Sequence, residues 1–345
     1  MIKASYKKYL LNFKNPSGTS RGILRTKETW FIILEENGKI GIGETGLFRG
    51  LSIDDVLNYE EQLNWVCENI NLGLAYLLDE LFAFPSIQFG LEQAFLSLQS
   101  KNKFEIFPSE FTKGKEAIAI NGLVWMGDQD FMKRQIKEKL KTGFSCIKMK
   151  IGAIDFEAEI RLLKSIRKEF SANEIELRVD ANGGFTIENA LEKLKVLSAL
   201  EIHSIEQPIR QGQLDEMALL CEKTPLPIAL DEELIGVFSR EEKKQVIATI
   251  KPQFIILKPS LVGGFGGSKE WIDIAQKNNV GWWITSALES NIGLSAIAQF
   301  THTLQNKLPQ GLGTGGLFTN NFESPLEVEN GTLNYNNSKK WNFNL

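Results

Sequence analysis

Along the first third of the chain, apolar and polar positions follow two different rhythms. Residues 4–13 (ASYKKYLLNF) and 29–36 (TWFIILEE) are short runs rich in aromatic and β-branched side chains and read as strands. Asn37-Gly38 is the residue pair preferred in a two-residue hairpin turn, so 40–44 (IGIGE) should pair back on the second strand. Asn15-Pro16-Ser17-Gly18-Thr19-Ser20 gathers turn formers and predicts a loop between the first two strands, and Gly46 to Gly50, with Phe48 and Arg49, predicts a second loop. Helical periodicity then runs from about 52 to 70 and from about 86 to 99.

From about residue 115 short apolar runs recur, separated by charged segments of helical period. They are AIAIN (117–121), CIKMKIG (146–152), IELRVDANG (175–183), HSIEQPI (203–209), PIALDEEL (227–234), FIILKPS (254–260), GWWITSA (281–287) and a weaker PQGLGTG (309–315). Strands alternating with amphipathic helices define parallel βα units. Eight of them predict an α/β fold closed as a modified TIM barrel, with an open doubly wound sheet as the alternative. The organisation expected is an α+β capping domain over 1–114, a catalytic barrel over 115–317, and a tail, 318–345, that turns at Asn330-Gly331 and returns to the cap as a hairpin.

Composition narrows the functions open to such a chain. The 345 residues carry a formal net charge of -4 and no long basic run, which argues against a nucleic-acid surface. No stretch approaches the ~18 continuous apolar residues of a membrane span. Cys67, Cys146 and Cys221 are scattered and form no metal-binding pair, as in a protein of the reducing cytoplasm. Only two histidines occur, so acid–base chemistry falls to carboxylates and lysines.

Those residues stand at matching places in successive runs: Lys148 and Lys150, then Asp180, Glu206, Asp231 and Lys258, each about one βα unit from the next. Equivalent strand positions lie side by side around the mouth of a closed barrel, where barrel active sites are found. Three carboxylates brought together in a core need a cation, and oxygen donors without thiol or imidazole suit Mg²⁺. Lys148 and Lys150, two apart on a strand, share a face. A neighbouring positive charge lowers a lysine toward the range of a useful base. Lys258 approaches from the opposite side, an arrangement suited to removing a proton α to a carboxylate. The plainer reading is that these lysines and carboxylates are structural ion pairs.

K-M-K at 148–150, D-A-N at 180–182, S-I-E-Q-P at 204–208, A-L-D-E at 229–232 and L-K-P at 257–259, in this order and spacing, resemble the enolase superfamily, in its muconate-lactonizing-type subgroup. The resemblance covers nearly the whole chain. It implies a (β/α)7β barrel under an α+β cap, Mg²⁺ (with Mn²⁺ as a substitute) on Asp180, Glu206 and Asp231, and Lys150 and Lys258 as acid–base lysines assisted by Lys148. The segments 21–34, 284–294 and 311–326 are most similar to the o-succinylbenzoate synthase family. That family dehydrates 2-succinyl-6-hydroxy-2,4-cyclohexadiene-1-carboxylate to 2-succinylbenzoate in menaquinone biosynthesis. The likeness implies a cytoplasmic lyase of a small carboxylate, with no nucleic-acid or membrane partner, and leaves monomer and homo-oligomer both open.

Lesser features carry weaker expectations. Asn182 and Glu232 adjoin the ligands and should orient them, and Arg178 shares a strand face with Asp180. Backbone amides of Gly313 and Thr314, with the Ser286 hydroxyl, are expected to hold a substrate carboxylate. The loops at 15–22 and 46–50 are expected either to cover the mouth or to be simply solvated. Gly263-Gly264 and Gly266-Gly267 read as a tight turn, with a phosphate cradle as the alternative, and His203 and His302 read as structural. Two other functions fit the same residues. One is racemisation or epimerisation of N-acylamino acids or dipeptides by the two lysines, although run eight lacks the acid that would hold a dipeptide ammonium. The other is a retired barrel that only binds.

Overall fold

The structure, a computed structural model, describes residues 1–19, 22–125, 127–152 and 155–345. The chain opens with strands β1 (Lys3–Thr19), β2 (Gly22–Glu36) and β3 (Lys39–Glu44), followed by helices α1 (Tyr59–Asn69), α2 (Leu74–Glu80) and α3 (Pro85–Gln99). The three strands form one antiparallel sheet in the order β1-β2-β3. Gly41 and Gly43 let α3 lie directly on β3, since a Cβ on either would stand 2.3 Å from the Ala94 carbonyl oxygen or 1.9 Å from that of Gly90. The layer between them is filled by Trp30, Ile32, Leu34, Leu63, Leu77, Leu91 and Phe95.

Asn15-Pro16 does not end the first strand. Pairing with β2 shifts register between Asn12 and Ser17 and then resumes to Thr19. Proline has no N–H to give the ladder, so the segment bulges and continues. Ser20 and Arg21, expected in that loop, lie outside the described residues. The expected helix over 52–70 starts only at Tyr59.

After β4 (Ile118–Ala119) the chain alternates: β5 (Gly122–Val124), α4 (Gln129–Lys141), β6 (Cys146–Lys150), α5 (Phe156–Glu169), β7 (Glu176–Asp180), α6 (Ile187–Ser198), β8 (Ser204–Glu206) and α7 (Leu214–Lys223). It continues through β9 (Ile228–Leu230), α8 (Arg240–Ile250), β10 (Phe254–Leu257), α9 (Gly264–Lys277), β11 (Gly281–Ile284) and α10 (Asn291–Thr303). Strands β5 to β11 form one sheet in sequence order, its pairs parallel. Residues 310 and 311 close the ring by parallel bridges to Ile120 and Thr285. This is the (β/α)7β barrel expected, its last strand reduced to two bridges.

The tail behaves differently from the expectation. Strands β12 (Leu326–Glu329) and β13 (Thr332–Tyr335) form the hairpin at Asn330-Gly331, but β13 pairs with β4, where the chain enters the barrel. The segments on either side of the hairpin do reach the first sheet: Phe318 bridges Phe13, Asn320 bonds to β1, and near the C-terminus Trp341 packs on Phe104 and Phe343 on Phe31 and Phe322.

A second contact joins α3 to the barrel. Glu92 accepts hydrogen bonds from the backbone N–H groups of Phe265 and Gly266 (3.0 Å for the latter), so its carboxylate caps the N-terminus of α9. A Cβ at Gly264 would stand 2.2 Å from Glu92 Oε2. The glycine-rich turn is therefore filled by a side chain of the same protein. Burial pushes the Glu92 carboxyl up to about 7 from an ordinary 4.5. The folded-state value lies above the unfolded one, so this contribution is complete below about 4.5 and is lost as pH rises through about 7. Thermal melts should lose stability across that window. Glu92→Gln, which mimics the protonated acid, should flatten the loss, and an unchanged slope would remove Glu92 as its cause.

Candidate active site

Register brings the polar residues together. Lys150 pairs with Asp180 and Asp180 with Glu206, so the three stand abreast at the C-terminal ends of β6, β7 and β8. Asp231 directly follows β9 and Lys258 directly follows β10, continuing the arc. Lys148 lies two residues below Lys150 on the same face. Strands β6 and β10 are four places apart in the ring, which sets Lys150 and Lys258 on opposite walls.

Each carboxylate is drawn to a lysine. Lys148 Nζ bonds Glu206 Oε2 and lies 2.9 Å from Asp180 Oδ2. Lys150 Nζ donates to Asp180 Oδ2 at 2.9 Å and to Asn182 Oδ1 at 2.7 Å. Lys258 Nζ bonds Asp231 Oδ2. Burial alone would lower Lys148, but the charges of Asp180 and Glu206 outweigh it and hold it above its ordinary value. Lys258 is raised in the same way, against burial, by Asp231 first and then Glu206. Burial would raise Asp180, yet Lys148 and Lys150 hold it below the carboxylate range, and Lys258 does the same for Asp231. Glu206 goes the other way. Burial and then the charge of Asp180 push it well up, because it stands between two acids and shares Lys148 with one of them.

Behind this arc Asn182, in the left-handed region at φ 43, turns its amide between two partners. Its Oδ1 accepts from Lys150, and its Nδ2 donates to Glu232 Oε1 at 3.0 Å. Asn182 thus links Lys150 to Glu232. Arg178 does not join them. Its Nε donates to Glu176 Oε1 at 2.6 Å, one terminal nitrogen reaches the Pro309 carbonyl at 2.9 Å, and the guanidinium lies 4.1 Å from the Trp283 ring centre. It shares the strand face, but the carboxylate it pairs with is at the other end of β7, while Asp180 already has two lysines.

A cavity of about 480 Å³ opens over the arc, lined by Lys148, Lys150, Asp180, Asn182, Glu206 and Lys258. Ser286, Gly313 and Thr314 form part of its wall, as do Phe48 and Leu51, so the loop at 46–50 reaches the site. No described residue of 15–22 lines it. The Ser286 hydroxyl donates to Glu289 Oε2 at 2.7 Å and accepts from Leu288 N and Thr314 Oγ1, so its proton is committed away from the cavity. Sequence reading missed Gln207, whose Oε1 accepts from the backbone of Asp231 at 3.2 Å and of Glu233 at 3.3 Å, pinning the turn after β9. Its place in S-I-E-Q-P was a signal, though a glutamine next to an acid has no charge to mark it. His203 packs on Phe254 at the barrel floor, and His302 stacks on Phe111, both away from the cavity.

Two features suit the carboxylates to a divalent cation. The donors are hard oxygens, and Glu206 Oε1 is buried without a hydrogen-bond partner. As they stand, with a lysine on each, no group of three or more acidic, histidine or cysteine side chains among the described residues is arranged to hold a metal ion.

Residues 131–338 match the family described as Enolase C-terminal domain-like, and the chain belongs to that family within the enolase superfamily. Over its full span it is similar to the o-succinylbenzoate synthase of Desulfotalea psychrophila, 46% identical over 96% of this chain and 98% of that one. The crystal structure of MenC from the same organism superimposes with a TM-score of 0.86 at 43% identity, covering 96% of this chain and 99% of that one. The muconate lactonizing enzyme of Pseudomonas fluorescens, 21% identical, shares the fold with a TM-score of 0.83 over 96% of this chain and 93% of its own. These relationships imply use of a divalent metal and action on a small molecule. No helix among the described residues is long and apolar enough to cross a membrane.

Proposed function

We propose that the chain is an o-succinylbenzoate synthase, a hydro-lyase that dehydrates 2-succinyl-6-hydroxy-2,4-cyclohexadiene-1-carboxylate to 2-succinylbenzoate in menaquinone biosynthesis. The observation that carries the reaction class is the pair Lys150 and Lys258 on opposite walls of one cavity, with Asp180 and Glu206 in its lining and Asp231 ending the strand next to that of Lys258. The 46% identity across 96% of the chain narrows the substrate. Asp180, Glu206 and Asp231 would hold Mg²⁺ or, in its place, Mn²⁺, which supplies positive charge against the substrate carboxylate as the enolate forms. Lys150, aimed by Asp180 and Asn182, removes the proton α to the ring carboxylate. Lys148, one rung below, adds a second positive charge beside Asp180 and Glu206. The proton taken by Lys150 then passes to the departing hydroxyl on the same face. The C–H and C–O bonds break, water leaves, and the ring becomes aromatic. Lys258 keeps its charge beside Asp231 and stabilises the enolate from the other face.

Backbone amides at Gly313 and Thr314 are our assignment for the distal carboxylate, with Ser286 fixing the wall they belong to. We read the chain as a cap of residues 1–114, completed by 318–345, over a barrel of 115–317, working in the cytoplasm. Purified protein with Mg²⁺ should turn the diene into a benzoate, followed by ultraviolet absorbance, and EDTA should stop it. No turnover by metal-loaded protein, together with α-deuterium exchange into N-acylamino acids in D₂O, would replace this substrate with the racemase reading.

A further inference from the structure

Between β11 and α10 the chain carries a buried acid that the reaction as described does not use. Glu289 is fully buried, and each of its carboxylate oxygens accepts a serine hydroxyl: Oε1 from Ser260 at 2.5 Å and Oε2 from Ser286 at 2.7 Å. The two serines belong to different walls of the site. Ser260 is two residues past Lys258, in the turn Pro259–Leu261, which Leu261 N closes on the Lys258 carbonyl at 2.7 Å. Asp231 holds the tip of the Lys258 side chain, and this turn holds its root. Ser286 accepts from Thr314 Oγ1 at 2.9 Å, and both line the cavity. One carboxylate therefore ties the wall that carries Lys258 to the wall that carries Ser286 and Thr314.

The segment around Glu289 is built to aim it. Leu288 lies in the left-handed region at φ 64, where a leucine is rare, and its N–H donates to Ser286 Oγ at 2.9 Å. Strain of that kind persists only where the surroundings over-determine it, and it gathers at functional sites. Two glycines make the room. A Cβ at Gly293 would stand 2.8 Å from Glu289 Cβ, and one at Gly46 would stand 2.8 Å from Ser260 Cβ and 3.4 Å from Glu289 Cγ. Glu44, at the end of β3, fixes the next residue, its oxygens accepting Ser290 N at 2.9 Å and Ser290 Oγ at 2.5 Å. Two residues after Gly46, Phe48 lines the cavity, so the loop at 46–50 rests on the tied residues.

We propose that Glu289 is a positioning residue of this site: through Ser260 it sets the turn that roots Lys258, and through Ser286 it sets the wall of Gly313 and Thr314. It lies behind the cavity lining and acts only through these two hydroxyls. This rests on the functional reading above. A buried carboxylate is costly to keep where an apolar side chain could fill the space. What it adds is a fixed bond to each wall, and a buried network with its partners in place holds one geometry. The two arms have separable effects. The Ser260 arm governs kcat through Lys258, and the Ser286 arm governs affinity through the wall.

The test uses the full chain with Mg²⁺ and four variants: Ser260→Ala, Ser286→Ala, Glu289→Ala and Glu289→Gln. Steady-state kinetics, thermal melts and calorimetric binding of 2-succinylbenzoate would be measured for each. Ser260→Ala should lower kcat about tenfold with little change in product Kd, and Ser286→Ala should raise KM and product Kd about tenfold with a smaller effect on kcat. Glu289→Ala should show both losses, and adding either serine change to it should cost little more in that serine's own parameter. Glu289→Gln keeps both arms. Ser286 Oγ already takes two donors, so the amide turns its oxygen to Ser286 and its nitrogen to Ser260, and most of both losses should be recovered. A merely structural acid would lower the melting temperature and leave kcat and product affinity alone. That result overturns the proposal, as does a Glu289→Gln enzyme no better than Glu289→Ala. Should Glu289→Ala be insoluble, the serine variants decide: the split between kcat and Kd supports the proposal, and two variants that match each other or wild type overturn it. A wild type that neither turns over the diene nor binds 2-succinylbenzoate removes the functional reading and this proposal together, whereas an active wild type with an indifferent Glu289 removes only the latter.

Discussion

Lys150→Ala should lower kcat by about 10²–10⁴-fold, the span expected when a positioned acid–base group is removed. The fold and the affinity for 2-succinylbenzoate should survive, because Asp180 keeps Lys148 as a partner at 2.9 Å. Asn182 would lose one acceptor role but retain its bond to Glu232. Lys258→Ala should also cost about 10²–10³-fold, by a different route: loss of a fixed charge opposite the developing enolate. Added methylamine should restore part of the rate in Lys150→Ala, where a missing base can be replaced from solution. It should do less for Lys258→Ala, where the lost group is a charge fixed against Asp231. Steady-state kinetics with circular dichroism separates these effects. A Lys150→Ala enzyme with near wild-type kcat would remove the lysine from the reaction.

The residues that carry this prediction were legible because charge in an apolar strand is conspicuous. Lys150, Asp180, Glu206, Asp231 and Lys258 each end a run that otherwise reads as buried, and the repeat of one βα unit places them in one ring before any coordinate is known. What the run pattern does not encode is direction within the barrel. Arg178 satisfies the same alternation as Asp180, yet it reaches the floor, because a long side chain on an interior face can point along the axis either way. Glu176, two residues back, decides it.

Neutral or distant partners were harder to read. Gln207 and Glu289 act through backbone and hydroxyl groups brought together by tertiary closure, and no periodicity announces them. The partner of the tail hairpin was hard to read for a related reason. Its turn at Asn330-Gly331 is local and was visible, while the choice of β4 over the first sheet is a long-range pairing. The plainer reading, structural ion pairs, also has something in it. Every active-site carboxylate does pair with a lysine here, so the pairing and the proposed metal compete for the same oxygens.

That competition predicts which ligand can be neutralised safely. Glu206 carries the acid that its surroundings least tolerate as a charge, so Glu206→Gln replaces a group already pushed toward its protonated form. In EDTA this variant should melt no lower than wild type. Asp180→Asn should behave in the opposite way. It leaves Lys150 without its carboxylate and Lys148 with Glu206 alone, and breaking a buried pair of this kind costs about 3–5 kcal/mol. Magnesium then separates the two effects. Wild type should gain about 2.7 kcal/mol at a hundredfold excess over Kd, by mass action on the folded state. Glu206→Gln should gain almost none, having lost the one buried carboxylate oxygen among the three proposed ligands that has no hydrogen-bond partner. Melts with EDTA and with Mg²⁺ read both quantities. A Glu206→Gln protein that still shifts with Mg²⁺ as wild type does would mean that the ion sits elsewhere. A variant that melts far lower in EDTA would mean that Lys148 depends on Glu206 more than on Asp180.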